Sequence, residues 1–397
     1  MQALAARTAR RQRRPLLLGV LAVLAAGAGI GYVVHGAVGA GGGGTGGDHR
    51  SGGRAAASSA KVRRRAPAFT VLATTPASGS RNVASDAPIT VRFSSPLAEH
   101  PTDPTLAPPI DGRWARRGSS ALVFDPAAPF VPSTTETLTV PGGAQGVAAA
   151  DGRLLPGPDT VSFTVAGGSV LRLQQLLAQL DYLPVSFTSS GPAVAPEDEA
   201  QPQPGNFTWR WSGLPLTLVA LWTPGAASEI TTAAVMAFEN DNGLAVDGVA
   251  GPQVWTTLLA DVAAGKTDPN PWVYVYVSKS IPETLTVYVN GNVQFSNVLV
   301  NTGVPGADTT DGTYAVFEHV VASDMKGTNP DGTTYNDPNV PWASYFNGGD
   351  ALHGFVRAQY GFPQSNGCVE MPIATAGQIW PLTPIGTLVS VVGPPVT

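Results

Sequence analysis

The sequence predicts a multidomain, mainly β protein: an N-terminal transmembrane helix, a β-sandwich, a small three-helix domain and a C-terminal β-rich domain. Three observations predict it. Glycine (46 residues) and proline (36) are abundant in the 397-residue chain, which favours many turns and short strands over long helices. Apolar residues alternate with period two in two separate stretches, and between them the period becomes that of a helix face. Near the start, an uncharged apolar run follows a cluster of arginines.

Residues 1–14 hold five arginines and form a basic tail that the positive-inside bias keeps in the cytoplasm. From Pro15 to Val34 there are 20 residues without a charge, enough for a helix to span about 30 Å of hydrocarbon. Residues 15–38 are therefore expected to be a transmembrane anchor or a cleaved signal with "VGA" (residues 38–40) as its cleavage site; the length of the run favours the anchor. Both imply export, with the folded body outside the membrane. Residues 39–66, rich in glycine and then in arginine, lack the apolar surface to fold and read as a flexible linker.

From residue 66 onward there are 12 basic and 27 acidic residues. So acidic a body is a poor nucleic-acid binder, because phosphate contacts need dense Lys and Arg. Within 67–167, "APITVRFSSPL", "SSALVFDP", "TETLTVPGG" and "DTVSFTVAGG" place residues such as Ile89, Val91 and Phe93 on one face of an antiparallel sandwich. The segment resembles bacterial Ig-like domains and carries no nucleophile constellation, which suits a spacer or a substrate-presenting module.

Residues 169–265 follow helical spacing. Leu173, Leu176, Leu177 and Leu180 share one face, a second helix opens at Ser228 and stops at Gly243, and a third carries Trp255, Leu258 and Leu259. The string "LQQLLAQLDYLP…AVMAFENDNGLAVDGVAGPQVWTTLL" resembles the three-helix peptidoglycan-binding domain. It departs from that pattern at Asp181, at Glu239 and in an insertion over 185–220 that contains Trp209 and Trp211 and is followed closely by Trp222. Strands return over 271–397, with Asn290-Gly291 as a hairpin turn in "VYVNGNVQF".

Cys368 is the only cysteine, so no internal disulfide is possible. A thiol attacks carbonyls as thiolate and needs a base beside it; the last domain offers His319 and His353. Ser365-Asn366-Gly367 before the cysteine has the composition of a turn able to aim backbone N–H groups at an oxyanion. The histidines are scattered and no HExxH occurs, so no metal and no cofactor is expected.

The stretch "HGFVRAQYGFPQSNGCVEMP" (353–372) resembles the active-site signature of L,D-transpeptidases of the YkuD type, as do "TVYVNGNVQFSNVLVNTG", "TTDGTYAV" and "VPWASYFNGGDALHG" upstream. The resemblance implies that Cys368 is the nucleophile and His353 the general base and acid, with Asn366 and Gly367 in the oxyanion turn and Gly354 and Ser365 beside the substrate. Asn366 stands where that family usually has histidine, and Glu370 where it has arginine or asparagine. Arg357 is expected to supply positive charge for a substrate carboxylate, and Tyr345 and Trp342 to wall the acceptor groove. The implied reaction is 3→3 cross-linking of peptidoglycan stem peptides, donor and acceptor, with release of D-Ala. The same thiol serving an L,D-carboxypeptidase, or a non-catalytic wall-binding protein, are the alternatives.

Overall fold

The computed structural model describes residues 67–194 and 199–393. The expected anchor or signal and the linker lie outside the described residues, among which no helix is long and apolar enough to cross a membrane.

The first domain is two antiparallel sheets face to face. Strands β1 (Val71–Thr75), β2 (Ile89–Phe93), β3 (Thr105–Ala107), β4 (Gly112–Arg116), β5 (Ala121–Pro126), β6 (Thr135–Val140) and β7 (Asp159–Thr164) divide into the orders β1-β2-β5-β4 and β3-β6-β7. Alternation decides which side chains meet: Ile89, Val91 and Phe93 of β2 and Leu138 and Val140 of β6 are buried in one core with Phe130 and Phe163.

The three predicted helices are α1 (Val170–Gln179), α3 (Glu229–Asp241) and α4 (Pro252–Ala263). Ser169 and Ser228 cap α1 and α3, their side chains accepting from the backbone N–H three residues on, and proline opens α4. Within the insertion the chain forms a hairpin, β8 (Val185–Ser189) with β9 (Gly205–Trp209), followed by the short α2 (Leu216–Val219). Trp255, 1% exposed, packs at the centre of the helical core; truncation to alanine there removes ~3–5 kcal/mol.

The last domain has two sheets. One is ordered β12-β11-β10-β18-β13, from β10 (Val273–Ser278), β11 (Thr284–Val289), β12 (Asn292–Leu299), β13 (Gly312–Ala315) and β18 (Leu388–Val392). The other is ordered β14-β15-β16-β17, from β14 (Glu318–Thr328), β15 (Thr334–Asn347), β16 (Asp350–Gly354) and β17 (Val369–Met371), with α5 (Ile373–Ile379) packed on β15 and β16. The sequence of β10, VYVYVS, is apolar on both faces, and both are covered. Val273, Val275 and Val277 enter the core between the two sheets, while Tyr274 joins the core of the helical module with Leu388. Gly386 marks the close approach: a Cβ there would fall 2.6 Å from that of Ala237 in α3. The Asn290-Gly291 turn has φ of 48° and 74°, as a two-residue hairpin of right-handed twist demands.

Hairpin β14–β15 reaches beyond this core. None of the eleven residues of β14 is buried, and its turn, Asn329 to Thr333, closes on its own backbone hydrogen bonds. The exposed end forms one wall of the site described next.

Candidate active site

Parallel pairing of β16 with β17 sets His353 opposite Glu370 and Leu352 opposite Val369. Cys368 immediately precedes β17, one alternation from Glu370, so Cys368, Glu370 and His353 project from the same face of the paired strands. All three line one cavity of about 470 Å³. Its far wall comes from hairpin β14–β15 through Asp324, Lys326, Tyr335, Asp337 and Tyr345.

The turn before Cys368 is fixed from several directions. Ser365 Oγ accepts from the Gly367 N–H (3.2 Å) and donates to the Cys368 carbonyl (2.5 Å). Buried Thr309 donates to the Gly367 carbonyl (2.7 Å). The Asn366 amide donates to Asn329 Oδ1 at the hairpin turn (2.6 Å), tying the cavity wall to the cysteine loop. Gly367 has φ 114° and lies against the Asp350 carboxylate, so both its conformation and its surroundings require glycine.

The resting thiol is a poor nucleophile. Its Sγ donates to the Gly349 carbonyl at 3.6 Å. Burial pushes its pKa up to about 12; a backbone N–H of Ala351 opposes that rise, and the carboxylates of Asp350 and Glu370 add to it. His353 is 3% exposed, and burial lowers its pKa below the ordinary histidine value, with the Gly354 carbonyl and Glu370 opposing and Arg357 assisting. Its Nδ1 lies 3.2 Å from the Gly354 carbonyl. A carbonyl only accepts, so Nδ1 carries the proton and Nε2 is left as the basic atom. The site thus holds a neutral imidazole and a neutral thiol.

Arg357 lines the cavity, but its guanidinium faces Glu370 as a bidentate pair, Nε to Oε2 and Nη2 to Oε1 both at 2.7 Å. It lies 4.7 Å above the Phe355 ring, which meets the His353 ring edge-on with centroids 5.9 Å apart. Glu370, 4% exposed, therefore has a counter-charge, and the charge expected for a substrate carboxylate is already engaged. Arg357, Phe355 and His353 form one packed row.

Tyr345 stands in the cavity wall with its hydroxyl 2.8 Å from Ser323 Oγ. Trp342 does not join it; its ring packs on Trp380, centroids 5.4 Å apart, and over Gly377 of α5. Gly354 is buried against Ile373 and Ala376 of α5, and Ser365, 2% exposed, shapes the turn; neither lines the cavity. The Gly367 N–H donates to Ser365 Oγ. His319 stacks on Trp380 at 4.0 Å with Nε2 2.9 Å from its carbonyl, away from the thiol's cavity.

Residues that sequence reasoning did not single out are Asp350, Tyr335, Asp337 and Phe355. Asp350, at the start of β16, is the most consequential, since burial pushes its pKa up to about 6 beside the thiol. Its only sequence signal is its position three residues before His353.

Comparison with known proteins matches residues 65–165 to a bacterial Ig-like domain, 223–258 to a peptidoglycan binding domain and 273–391 to the L,D-transpeptidase catalytic domain. No curated protein matches the chain. Among solved structures it is similar to an L,D-transpeptidase from Mycobacterium smegmatis (14% identity, covering 82% of this chain and 100% of that one, TM-score 0.27). It is also similar to L,D-transpeptidase 3 from Mycobacterium tuberculosis (14%, 81% and 98%, 0.28) and to the catalytic domain of an E. faecium L,D-transpeptidase (25%, 30% and 96%, 0.28). Residues 273–391, which carry Cys368 and His353, match the YkuD-type L,D-transpeptidase catalytic domain, and bacterial Ig-like and peptidoglycan-binding domains precede it in the chain.

Proposed function

We propose that this protein is a cysteine-dependent L,D-transpeptidase that makes 3→3 cross-links in peptidoglycan. The observation that carries the reading is the shared cavity of Cys368 and His353, on one face of β16 and β17, inside the segment that matches the catalytic domain.

A thiol held far above neutral pKa reacts only if its proton leaves as the sulfur attacks. His353 Nε2 takes that proton while Sγ bonds to the carbonyl carbon of the third residue of a donor tetrapeptide. The oxyanion collapses, the bond to D-Ala breaks, and the imidazolium returns the proton to the departing amine. The side-chain amine of a second stem then attacks the thioester, gives a proton to His353, and leaves as the new amide while the thiol is restored. Asp324, Asp337 and Asp350 in the cavity wall favour an approaching ammonium, and Tyr345 walls the same space. Residues 15–38 anchor the chain in the cell membrane, or direct its secretion if cleaved, and the body works in the wall.

The test is incubation of the full chain with disaccharide-tetrapeptide, followed by mass spectrometry. A dimer lacking one D-Ala, absent with Cys368→Ala, is the expected result. Tripeptide without dimer means a carboxypeptidase, and no product means a wall-binding protein without catalysis.

A further inference from the structure

The insertion at 185–220 interrupts the helical module ahead of the matched segment 223–258, and no family match covers residues 166–222. It builds a second cavity, of about 490 Å³, between hairpin β8–β9 and α1. That volume lies within the ~300–1,000 Å³ of small-ligand sites.

Hairpin alternation puts Val185, Phe187, Phe207 and Trp209 on one face, with Phe187 directly opposite Phe207 and Val185 opposite Trp209. Phe207 meets Trp222 edge-on at 5.2 Å. Phe207, Trp209 and Trp222 are all half-buried and line the cavity, accompanied by the amides of Gln203 and Asn206. None of the described lining residues is charged.

The floor is braced from behind. Gln175, 1% exposed, donates to the Gln203 carbonyl (2.8 Å) and accepts from the Gln203 N–H (2.9 Å). Arg172, 4% exposed, donates to the Glu199 carbonyl (2.7 Å). Two buried polar side chains of α1 thus hold the returning strand in place, so the cavity is formed without a ligand.

We propose that this cavity binds the neutral glycan strand of peptidoglycan, an inference that rests on peptidoglycan being the substrate. Sugar rings present C–H faces that pack on aromatic faces, and their hydroxyl and acetamide rims take hydrogen bonds from amides. The described lining residues offer both and carry no charge, which favours the glycan over the charged stem peptides. Gripping the strand raises the local concentration of stems at Cys368 through the shared core of the helical module and the β10 sheet.

The experiment is saturation-transfer NMR and calorimetry of the full chain with a β-1,4-linked N-acetylglucosamine tetramer. Saturable binding is expected, weakened at least tenfold by Trp209→Ala and equally by Asn206→Arg, which places a bulky cation at the exposed rim and spares the core. Cys368→Ala should bind as the parent does, and both cavity variants should still form dimers from soluble disaccharide-tetrapeptide. Unchanged binding in Asn206→Arg and in folded Trp209→Ala, or displacement of the tetramer by free stem peptide, overturns the proposal. A parent that forms dimers but ignores the tetramer refutes the glycan site alone, and one that binds it without forming dimers refutes the catalytic reading alone.

Discussion

Two cavities of nearly equal volume differ in what their walls can do. Around Cys368 the lining brings together a thiol, an imidazole, four carboxylates, a lysine and an arginine. Around Trp209 the described lining is aromatic rings, amides and aliphatic carbons. In the first, burial moves proton affinities: the thiol rises, the imidazole falls and Asp350 rises. In the second, none of the described lining residues titrates. A wall that shifts pKa values suits bond making, whereas a neutral wall suits holding.

The largest break in that comparison is removal of the sulfur. Cys368→Ala should lower dimer formation by at least ~10³-fold, as loss of a covalent nucleophile does, with the N-acetylglucosamine tetramer bound as before. Mass spectrometry and calorimetry on one preparation check both halves. Loss of both would mean that the two cavities are one functional unit.

A smaller break is Arg357→Ala, which leaves Glu370 buried beneath the cavity without its counter-charge. Fully buried pairs lose ~3–5 kcal/mol when one partner goes; the Arg357 side chain is 30% exposed against 5% for Glu370, so a loss of about 2 kcal/mol in urea unfolding is expected. The double variant Arg357→Met with Glu370→Met should recover most of it, because no unpaired charge remains. Removing Arg357 alone also deletes a cation that depresses the His353 pKa and leaves the Glu370 carboxylate that raises it. The imidazole then takes a proton at higher pH, so the acid limb of the activity profile should move upward. A limb that stays put while stability falls would confine the pair to a scaffold role.

Cys368 and His353 were legible as a candidate pair because a lone cysteine in Ser-Asn-Gly-Cys and a His-Gly fall at a recognisable separation, and β16 and β17 bring the two side chains into one cavity. Strand β10 was legible too, as its alternation of valine and tyrosine requires cover on both faces. The cavity wall was not. Asp324, Tyr335 and Asp337 lie in a polar, turn-like stretch whose pairing as a long hairpin depends on partners across the turn, and short-range periodicity is silent there. Trp342 was assigned with Tyr345, yet residues three apart on a strand fall on opposite faces, and the left-handed φ of 62° at Trp342 breaks the alternation further. The strands of the insertion hid behind a Pro- and acid-rich connection between β8 and β9 that carries no period at all.

The smallest break, and the most selective, is Asp350→Asn. The change keeps the shape beside Gly367 and removes one negative charge facing the thiol. Because that charge raises the Cys368 pKa, the variant should react severalfold faster with iodoacetamide at pH 8. The parent's rate should climb about tenfold per pH unit beyond pH 9, as a thiol near 12 requires. Asp350 itself titrates near 6, so the advantage of the variant should vanish below about pH 5, where the parent carboxyl is protonated. Stability follows the same group. A carboxyl whose folded pKa exceeds its unfolded value of 3.8 favours the fold most below 3.8 and loses that contribution as pH rises through about 6. Asparagine has no such loss, so the variant should be more stable at pH 7 by roughly 1 kcal/mol after solvent screening, and equal to the parent near pH 4 in urea unfolding. Labelling that ignores the substitution at every pH would place the Asp350 charge out of reach of the sulfur and leave burial alone to hold the thiol neutral.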